Sequence, residues 1–245
     1  MQMSEPIQTL KESLPYGDTK KAFFQGSDWQ SFGQSAGGHE ITGKKLFGVE
    51  NARRALLVGG VHGNETEGVR FMEDFIREFA MSSDRSPVNA EILAIPVFNP
   101  DGFLSFKRGN KNNVDLNRNM PTRDWSLNYS EPKYFPGPSA SSEPETAAMI
   151  SVLESFRPDF IISFHSWKPM ININGPARPH AEVMQKKLDM EIVEDIGYPT
   201  PGSLGTYAGW ERQIPTITLE FERGVELDLI YPMARDAVLN TLAIL

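Results

Sequence analysis

The chain has 245 residues, with 24 Lys and Arg against 32 Asp and Glu, so its formal net charge is −8. Hydrophobic residues make up 40% and charged residues 23%, which excludes a disordered chain. The acidic balance argues against a protein that binds nucleic acid, since that would need clustered Lys and Arg. The absence of cysteine excludes disulfides, a cysteine nucleophile and thiolate metal ligands, so a bound metal would need His, Asp or Glu.

The N-terminal segment MQMSEPIQTLKESL alternates polar and apolar residues and does not resemble a secretory signal. Nowhere does the sequence hold an apolar stretch of about 18 residues, the length that can span a bilayer. We therefore expect a cytoplasmic protein that does not enter a membrane.

Apolar runs bounded by glycine alternate with amphipathic stretches, which is typical of a mostly parallel sheet covered by helices. The predicted strands are Lys45–Val49, Ala55–Val61, Ala90–Val97, Asp159–Phe164 and Thr216–Phe221. The predicted helices are Glu65–Ala80, Glu143–Phe156, Pro179–Met190 and Leu227–Ala243.

No repeat or linker divides the chain, so we expect one domain over residues 1–245. Its predicted class is α/β, a mixed, mostly parallel and twisted sheet flanked by helices, with about the first 40 residues peripheral. In the helix from Glu65, apolar residues at helical spacing predict a core face: Val69, Met72, Phe75, Ile76 and Phe79. Residues 99–144 are polar and without periodicity, and a loop of that length is usually functional.

Three of the predicted strands lead directly into ionisable residues, and sites in α/β sheets gather where strands end. The first, ALLVGGVHGNE, leads to His62 and Glu65. FIISFHS leads to His165, and TITLEFE places Glu220 on the face opposite its apolar neighbours, because side chains alternate along a strand.

The set His62, Glu65 and His165 has the composition of a catalytic zinc site, in which three protein ligands leave a position for water. An alternative stays open. Glu65 also suits the N-terminus of the helix that follows it, where a negative charge is favourable, and the histidines would then be ordinary strand-end residues.

The segment Lys107–Asn119, KRGNKNNVDLNRN, favours the site. Lys107 and Lys111 fit a solvated basic loop. Arg118 stands between two asparagines, and its planar guanidinium suits a carboxylate. Asp115 is the type of residue that fixes the orientation of a ligand histidine.

Together these motifs resemble the zinc carboxypeptidases of the carboxypeptidase A type. HGNE (62–65), Arg108 with DLNRN (115–119), FHS (164–166) and TLEF (218–221) occur in that family's order. The resemblance implies one Zn²⁺ bound by His62, Glu65 and His165.

The resemblance also implies roles for other residues. Asp115 would orient His62, Arg108 would stabilise the oxyanion, and Glu220 would act as the general base. Asn117 and Arg118 would hold the terminal carboxylate of the substrate.

The family has a mobile tyrosine in a Tyr-x-x-x-Gly pattern before the last strand. Tyr198 fits this pattern, and the alternative is that it is a loop aromatic over the core. Tyr207 falls where the family has a structural aromatic, and Trp125 and Trp210 are expected to serve packing.

Within the family, GGVHGNETEG, RGNKNNVDLNRN and GYPTPGSLGTY are most similar to the murein peptide amidases. This implies release of meso-diaminopimelate from γ-D-glutamyl-linked cell-wall tripeptide during recycling. Gly205 falls at the bottom of the specificity pocket, where it gives space and no charge. Glu211, Arg212 and Arg178 are candidates for reading the distal group of diaminopimelate, although each suits a surface position.

The alternative enzyme is an N-acyl-amino-acid deacylase of the aspartoacylase or succinylglutamate desuccinylase type, and the alternative without catalysis is a metal-binding module. Relatives of the deacylase type usually carry a further β-rich domain, whereas 25 residues follow Glu220 here. The expected partner is a small peptide substrate, with no nucleic acid and no membrane. The sequence is compatible with a monomer or a homodimer, in which Tyr231 and Met233 could contribute.

Overall fold

The computed structural model of the protein describes residues 29–47, 52–80 and 88–245. Within these ranges the strands are β1 (Trp29–Gln34), β2 (Glu40–Leu46), β3 (Arg53–Val58), β4 (Ala90–Ile95), β5 (Phe160–Trp167), β6 (Met170–Asn174), β7 (Ile192–Val193) and β8 (Thr216–Glu222). The helices are α1 (Thr66–Ala80), α2 (Pro100–Ser105), α3 (Pro144–Phe156), α4 (Arg178–Gln185) and α5 (Leu227–Leu242), with a π-helical turn at Gly205–Trp210.

The strands form one eight-stranded sheet in the order β1-β2-β4-β3-β5-β8-β6-β7. The centre, β4-β3-β5-β8, is parallel. The pairs β1-β2, β2-β4 and β6-β8 are antiparallel, and β7 pairs with β6 in parallel orientation. The predicted single α/β domain with a mixed sheet is therefore confirmed.

Most predicted elements are present with shifted ends. The strand predicted at 45–49 begins earlier, at Glu40, and its residues 48 and 49 lie outside the described residues. The helix predicted at 179–190 ends at Gln185. A turn follows, in which the Met184 carbonyl accepts hydrogen bonds from the amides of Lys187 and Leu188. Strands β1, β6 and β7 were not predicted. Strand β1 lies within the N-terminal stretch expected to be peripheral, and residues 1–28 are outside the described ranges.

The predicted loop at 99–144 contains one short α-helix and two 3₁₀ turns, at Leu116–Arg118 and Pro132–Tyr134, which corrects the expectation of an irregular segment. Asn99 caps α2 because its Oδ1 accepts a hydrogen bond from the Gly102 amide at 2.9 Å, and Pro100 occupies the first turn. The start of α2 presses against Gly63 so closely that a Cβ there would lie 1.9 Å from Gly102 C. The glycine of HGNE is thus required by backbone packing.

Two hydrophobic clusters cover the two faces of the sheet. The first is formed by β-strand residues such as Ile217, Leu219 and Phe221 with α1, α4 and α5. All five residues of the core face predicted for α1 are buried. Tyr231 of α5 also packs on this cluster, and its hydroxyl donates to Glu78 Oε2 at 2.7 Å.

The second cluster covers the opposite face, with Leu56, Val58 and Ile161 packed against α3. Further along the same face the side chains become polar, since Ser163 and His165 share a side with Ile161 through the strand alternation. A cavity of about 1050 Å³ opens at this end of the face.

None of the helices in the described part of the chain has the length and apolar character needed to cross a membrane.

Candidate active site

The donor atoms of His62, Glu65 and His165 meet at the polar end of the sheet, all within 4.8 Å of one another. His62 Nδ1 lies 3.0 Å from Glu65 Oε1, and His165 Nδ1 lies 2.9 Å from Glu65 Oε2. His62 follows β3, His165 lies on β5, and Glu65 immediately precedes α1. All three side chains are buried. The structure thus brings together the three residues that the sequence analysis selected.

The outer nitrogens of both histidines are held by other side chains. His62 Nε2 lies 3.0 Å from Asp115 Oδ1, and His165 Nε2 lies 3.0 Å from Ser163 Oγ. Both rings therefore turn their Nδ1 atoms towards Glu65. Partners of this kind orient metal-binding histidines.

The donor set fits a zinc ion. The two Nδ1 atoms lie only 3.1 Å apart, so a proton or a cation is needed between their lone pairs. Burial opposes the charge of Glu65, but His62 and His165 outweigh it and hold its pKa well below the usual range. Two imidazoles and a carboxylate are ligands that zinc accepts in catalytic sites.

Arg108 joins this group to the loop that the sequence analysis emphasised. Its Nε donates to Asp115 Oδ2 at 2.9 Å, and its Nη1 donates to Glu65 Oε1 at 3.2 Å. Burial opposes its charge, but Asp115 and Glu65 outweigh that effect and raise the pKa of Arg108. The guanidinium is therefore a fixed positive charge beside the donor cluster.

Glu220 lies on β8 directly opposite His165 of β5 in the parallel register. Ile217, Leu219 and Phe221 face the core, as the strand alternation predicts, and Glu220 faces the cavity. Burial raises the pKa of the Glu220 carboxyl to about 7, against the lowering effect of His165. Its Oε2 is buried without a hydrogen-bond partner among the described residues. An unpartnered carboxyl with such a pKa is suited to exchange protons near neutral pH.

Asn117 and Arg118 are neighbours in the chain, and both line the cavity. Asn117 Oδ1 accepts a hydrogen bond from the Leu204 amide at 2.9 Å, so the NH₂ end of its carboxamide is left to donate. Arg118 Nη1 donates to the Asn117 carbonyl at 2.7 Å. Together they present donors suited to a carboxylate.

Tyr198 lines the cavity and Tyr207 does not. The Arg118 guanidinium lies 6.0 Å from the centre of the Tyr198 ring, whereas Tyr207 is buried in the second cluster beneath Arg212. The prediction that Trp210 serves packing is wrong. Its side chain, in the π-helical turn, is 45% exposed and lines the cavity.

The three candidates for reading a distal substrate group do not line the cavity. Glu211 accepts from the Arg123 amide, Arg212 donates to the Tyr207 carbonyl, and Arg178 pairs with Glu194 at 2.9 Å. Each is engaged elsewhere.

Sequence reasoning missed Tyr134, which lies between the two arginines. Its ring centre is 5.3 Å from the Arg108 guanidinium and 5.6 Å from that of Arg118. It follows Pro132 in a short 3₁₀ turn of the exposed stretch, and no periodicity in that stretch marks it.

The family follows from comparison with known proteins. The model of the zinc carboxypeptidase family matches residues 20–236, and the chain belongs to this family. It is therefore a hydrolase with one zinc cofactor, and His62, Glu65 and His165 are the group in the described residues that could hold the ion.

Several relatives are murein peptide amidases, among them those of Vibrio campbellii and Escherichia coli. Murein peptide amidase A of Vibrio campbellii is 35% identical over 184 residues, 70% of this chain and 71% of that protein. Murein peptide amidase A of Escherichia coli strain K12 is 30% identical over 205 residues, 75% of this chain and 81% of that protein.

Solved structures support the fold. Murein-tripeptide amidase MpaA from Escherichia coli O157 superposes with a TM-score of 0.71 at 24% identity, covering 90% of this chain and 93% of that one. Carboxypeptidase A from Helicoverpa armigera gives a TM-score of 0.74 at 18% identity, covering 86% and 66%.

Asp115→Asn should weaken zinc binding by roughly 10- to 100-fold, because the carboxylate that orients both His62 and Arg108 loses its charge. The zinc dissociation constant can be measured by competition with a chromophoric chelator. Asp124→Asn, a change at an exposed position further along the 99–144 loop, is the control. Equal zinc affinity in both variants would contradict the role given to Asp115.

Proposed function

We propose that this protein releases meso-diaminopimelate from γ-D-glutamyl-linked murein tripeptide, as a cytoplasmic enzyme of cell-wall peptide recycling. The observation that carries the proposal is the pairing of Glu220 with His165 beside the His62–Glu65–His165 group. The murein peptide amidase A relatives, at 30% to 35% identity, support the choice of substrate.

His62, Glu65 and His165 would hold the zinc ion, which when bound polarises a carbonyl and lowers the pKa of water. Glu220 accepts a proton from the water that attacks the amide carbon. It returns this proton to the leaving amine as the C–N bond breaks, so the carboxylate is regenerated. Its raised pKa of about 7 serves both transfers.

Arg108 stabilises the negative charge that develops on the carbonyl oxygen. Its position is fixed by Asp115 and Glu65, so little reorganisation is needed during the reaction. Asn117 and Arg118 bind the terminal carboxylate, with Tyr198 beside them. These three residues place the amide of the last residue next to Glu220.

The charge of the cavity suits an anionic peptide although the whole chain is acidic. Five cationic side chains line it: Lys107, Arg108, Arg118, Lys133 and Arg223. Such a cluster attracts a substrate with several carboxylates.

Tyr134→Ala should raise KM by roughly 10-fold and change kcat less, since the ring packs against Arg118, which binds the substrate carboxylate, as well as against Arg108. Tyr134→Phe should restore KM. Steady-state kinetics of both variants test this, with Tyr129→Ala on the same exposed segment as control. If Tyr134→Ala lowers kcat alone, the ring does not act through substrate binding.

The proposed function is tested with zinc-loaded protein and L-Ala-γ-D-Glu-meso-diaminopimelate. N-acetylaspartate, N-succinylglutamate and an ordinary α-linked peptide are present in the same tube. Mass spectrometry should detect free diaminopimelate as the product. Cleavage of the acyl amino acids alone would overturn the proposal in favour of a deacylase, and cleavage of the α-linked peptide alone would favour a general carboxypeptidase.

A further inference from the structure

Strands β6 and β8 present polar side chains to the cavity and apolar ones to the core. In the antiparallel register Asn172 lies opposite Thr218, and Asn174 lies opposite Thr216, so these side chains share the face of Glu220. Asn172, Asn174 and Thr218 line the cavity. The wall that continues from Glu220 is thus built of neutral hydrogen-bonding groups.

The orientation of the two carboxamides is fixed by their partners. Asn172 Nδ2 faces the carbonyl oxygens of Val193 and Glu194, at 3.1 and 3.4 Å, and carbonyls only accept. Asn172 Oδ1 therefore faces Asn174 and accepts from its Nδ2 at 3.1 Å. In the described part of the chain, no group donates to Asn174 Oδ1. This oxygen is therefore free to accept a hydrogen bond.

Gly205 leaves room for the carboxamide of Asn174. A Cβ at position 205 would lie 2.6 Å from Asn174 Cγ and 2.7 Å from both its Oδ1 and its Nδ2, so any side chain there would displace the carboxamide. Gly205 directly follows Leu204, whose amide holds Asn117. The acceptor is consequently close to the residues that bind the terminal carboxylate.

The charges beside this wall favour a cationic group. Glu194 and Asp195 line the cavity directly after Val193, whose carbonyl accepts from Asn172, whereas Arg118 donates to the Asn117 carbonyl. Since Glu194 is paired with Arg178, Asp195 supplies the negative charge on this side. A substrate residue whose carboxylate is bound by Arg118 would therefore direct a positive side-chain end towards Asn174.

We propose that Asn174, oriented by Asn172 and given space by Gly205, accepts a hydrogen bond from a side-chain amine of the released residue. This specificity role rests on the proposed function, because that function places the released residue in the cavity. It assigns the distal ammonium group of diaminopimelate to a neutral acceptor.

The test compares four peptides that differ in their last residue. Diaminopimelate and lysine carry the side-chain amine, while 2-aminopimelate and norleucine lack it. Each of the four residues is used in two series of peptides. In one series it is joined to the γ-carboxyl of D-Glu, and in the other it is joined to L-Ala through an ordinary α-amide. For the unmodified protein we expect kcat/KM to be roughly 10- to 100-fold higher with the amine than without it, the range of one hydrogen bond to a charged group.

Asn174→Leu, a substitution of similar size, should reduce this ratio of kcat/KM values to about one. It should leave kcat/KM for the norleucine peptide within about threefold of that of the unmodified protein. Asn174→Asp should raise the ratio for lysine over norleucine, and Gly205→Ala should lower it. Asn128→Leu, on the exposed segment away from the cavity, is the control.

An equal loss on all four peptides would mean that Asn174 has a structural role, and would overturn the inference. Cleavage of the γ-D-glutamyl bond and preference for the side-chain amine are measured separately. If only the α-linked peptides are hydrolysed, the proposed function is overturned, but the ratio of kcat/KM with and without the amine can still be measured. Calorimetry with free diaminopimelate and free 2-aminopimelate gives the same ratio without turnover. If neither series is cleaved, equal affinity for these two amino acids overturns the inference.

Discussion

Glu220→Gln should lower kcat by about 10²- to 10⁴-fold while leaving zinc bound, because the amide cannot take up the proton of the attacking water. The change is nearly isosteric, and Glu220 Oε2 has no hydrogen-bond partner in the described residues that the substitution could break. Single-turnover kinetics and metal analysis by plasma mass spectrometry measure the two quantities on one sample.

Glu222→Gln is the matched control. Glu222 lies two residues further along β8 and is exposed, so its neutralisation should leave kcat unchanged. Activity of Glu220→Gln close to that of the unmodified protein would show that another group transfers the proton.

Glu65→Gln should remove both zinc and activity. This carboxylate contacts His62, His165 and Arg108, and Arg223 lies 3.6 Å from it. Neutralising it leaves the surrounding positive charge without its buried counter-charge, and a cation is no longer favoured there. We expect kcat/KM to fall by at least roughly 10³-fold, since the zinc contributes several kcal/mol to catalysis. Zinc content after gel filtration is the direct measurement.

Glu67→Gln provides a stringent control, because Glu67 is as buried as Glu65 and lies two residues further along the chain, in α1. It accepts from Ser166 Oγ at 2.6 Å and from the Gly224 amide at 2.7 Å, and it is not one of the converging metal donors. That variant should keep its zinc even if it is less stable. Full zinc occupancy in Glu65→Gln would place the ion elsewhere.

The sequence was informative where a strand leads directly to a functional residue. His165 could be placed because it follows the apolar run of β5, and Glu220 because the apolar alternation of β8 assigns each of its residues to a face. The order of strands was not predictable, yet it is what makes β3, β5 and β8 neighbours. Pairing between distant segments depends on the packing of the whole chain, which local periodicity does not contain.

The residues that sequence analysis missed depend on such distant contacts. MININ at 170–174 has a clear alternation, but its antiparallel pairing with β8 gives Asn172 and Asn174 their place in the cavity. Tyr134 is in the cavity because the Phe135 carbonyl accepts from the Asp115 amide at 2.8 Å. Conversely, Arg178 had suitable chemistry but lies in a surface ion pair.

The pairing of His165 with Glu220 across β5 and β8 also favours the correct register of these strands during folding. A slip of β8 by one residue would turn Glu220 towards the first hydrophobic cluster and Leu219 towards the cavity. Burying an unpaired carboxylate among these apolar side chains would cost several kcal/mol, so the residue that we propose as the proton acceptor also disfavours misaligned strands. Substitution of Glu220 by an apolar residue would remove this penalty, and such a variant should be prone to alternative strand registers during refolding.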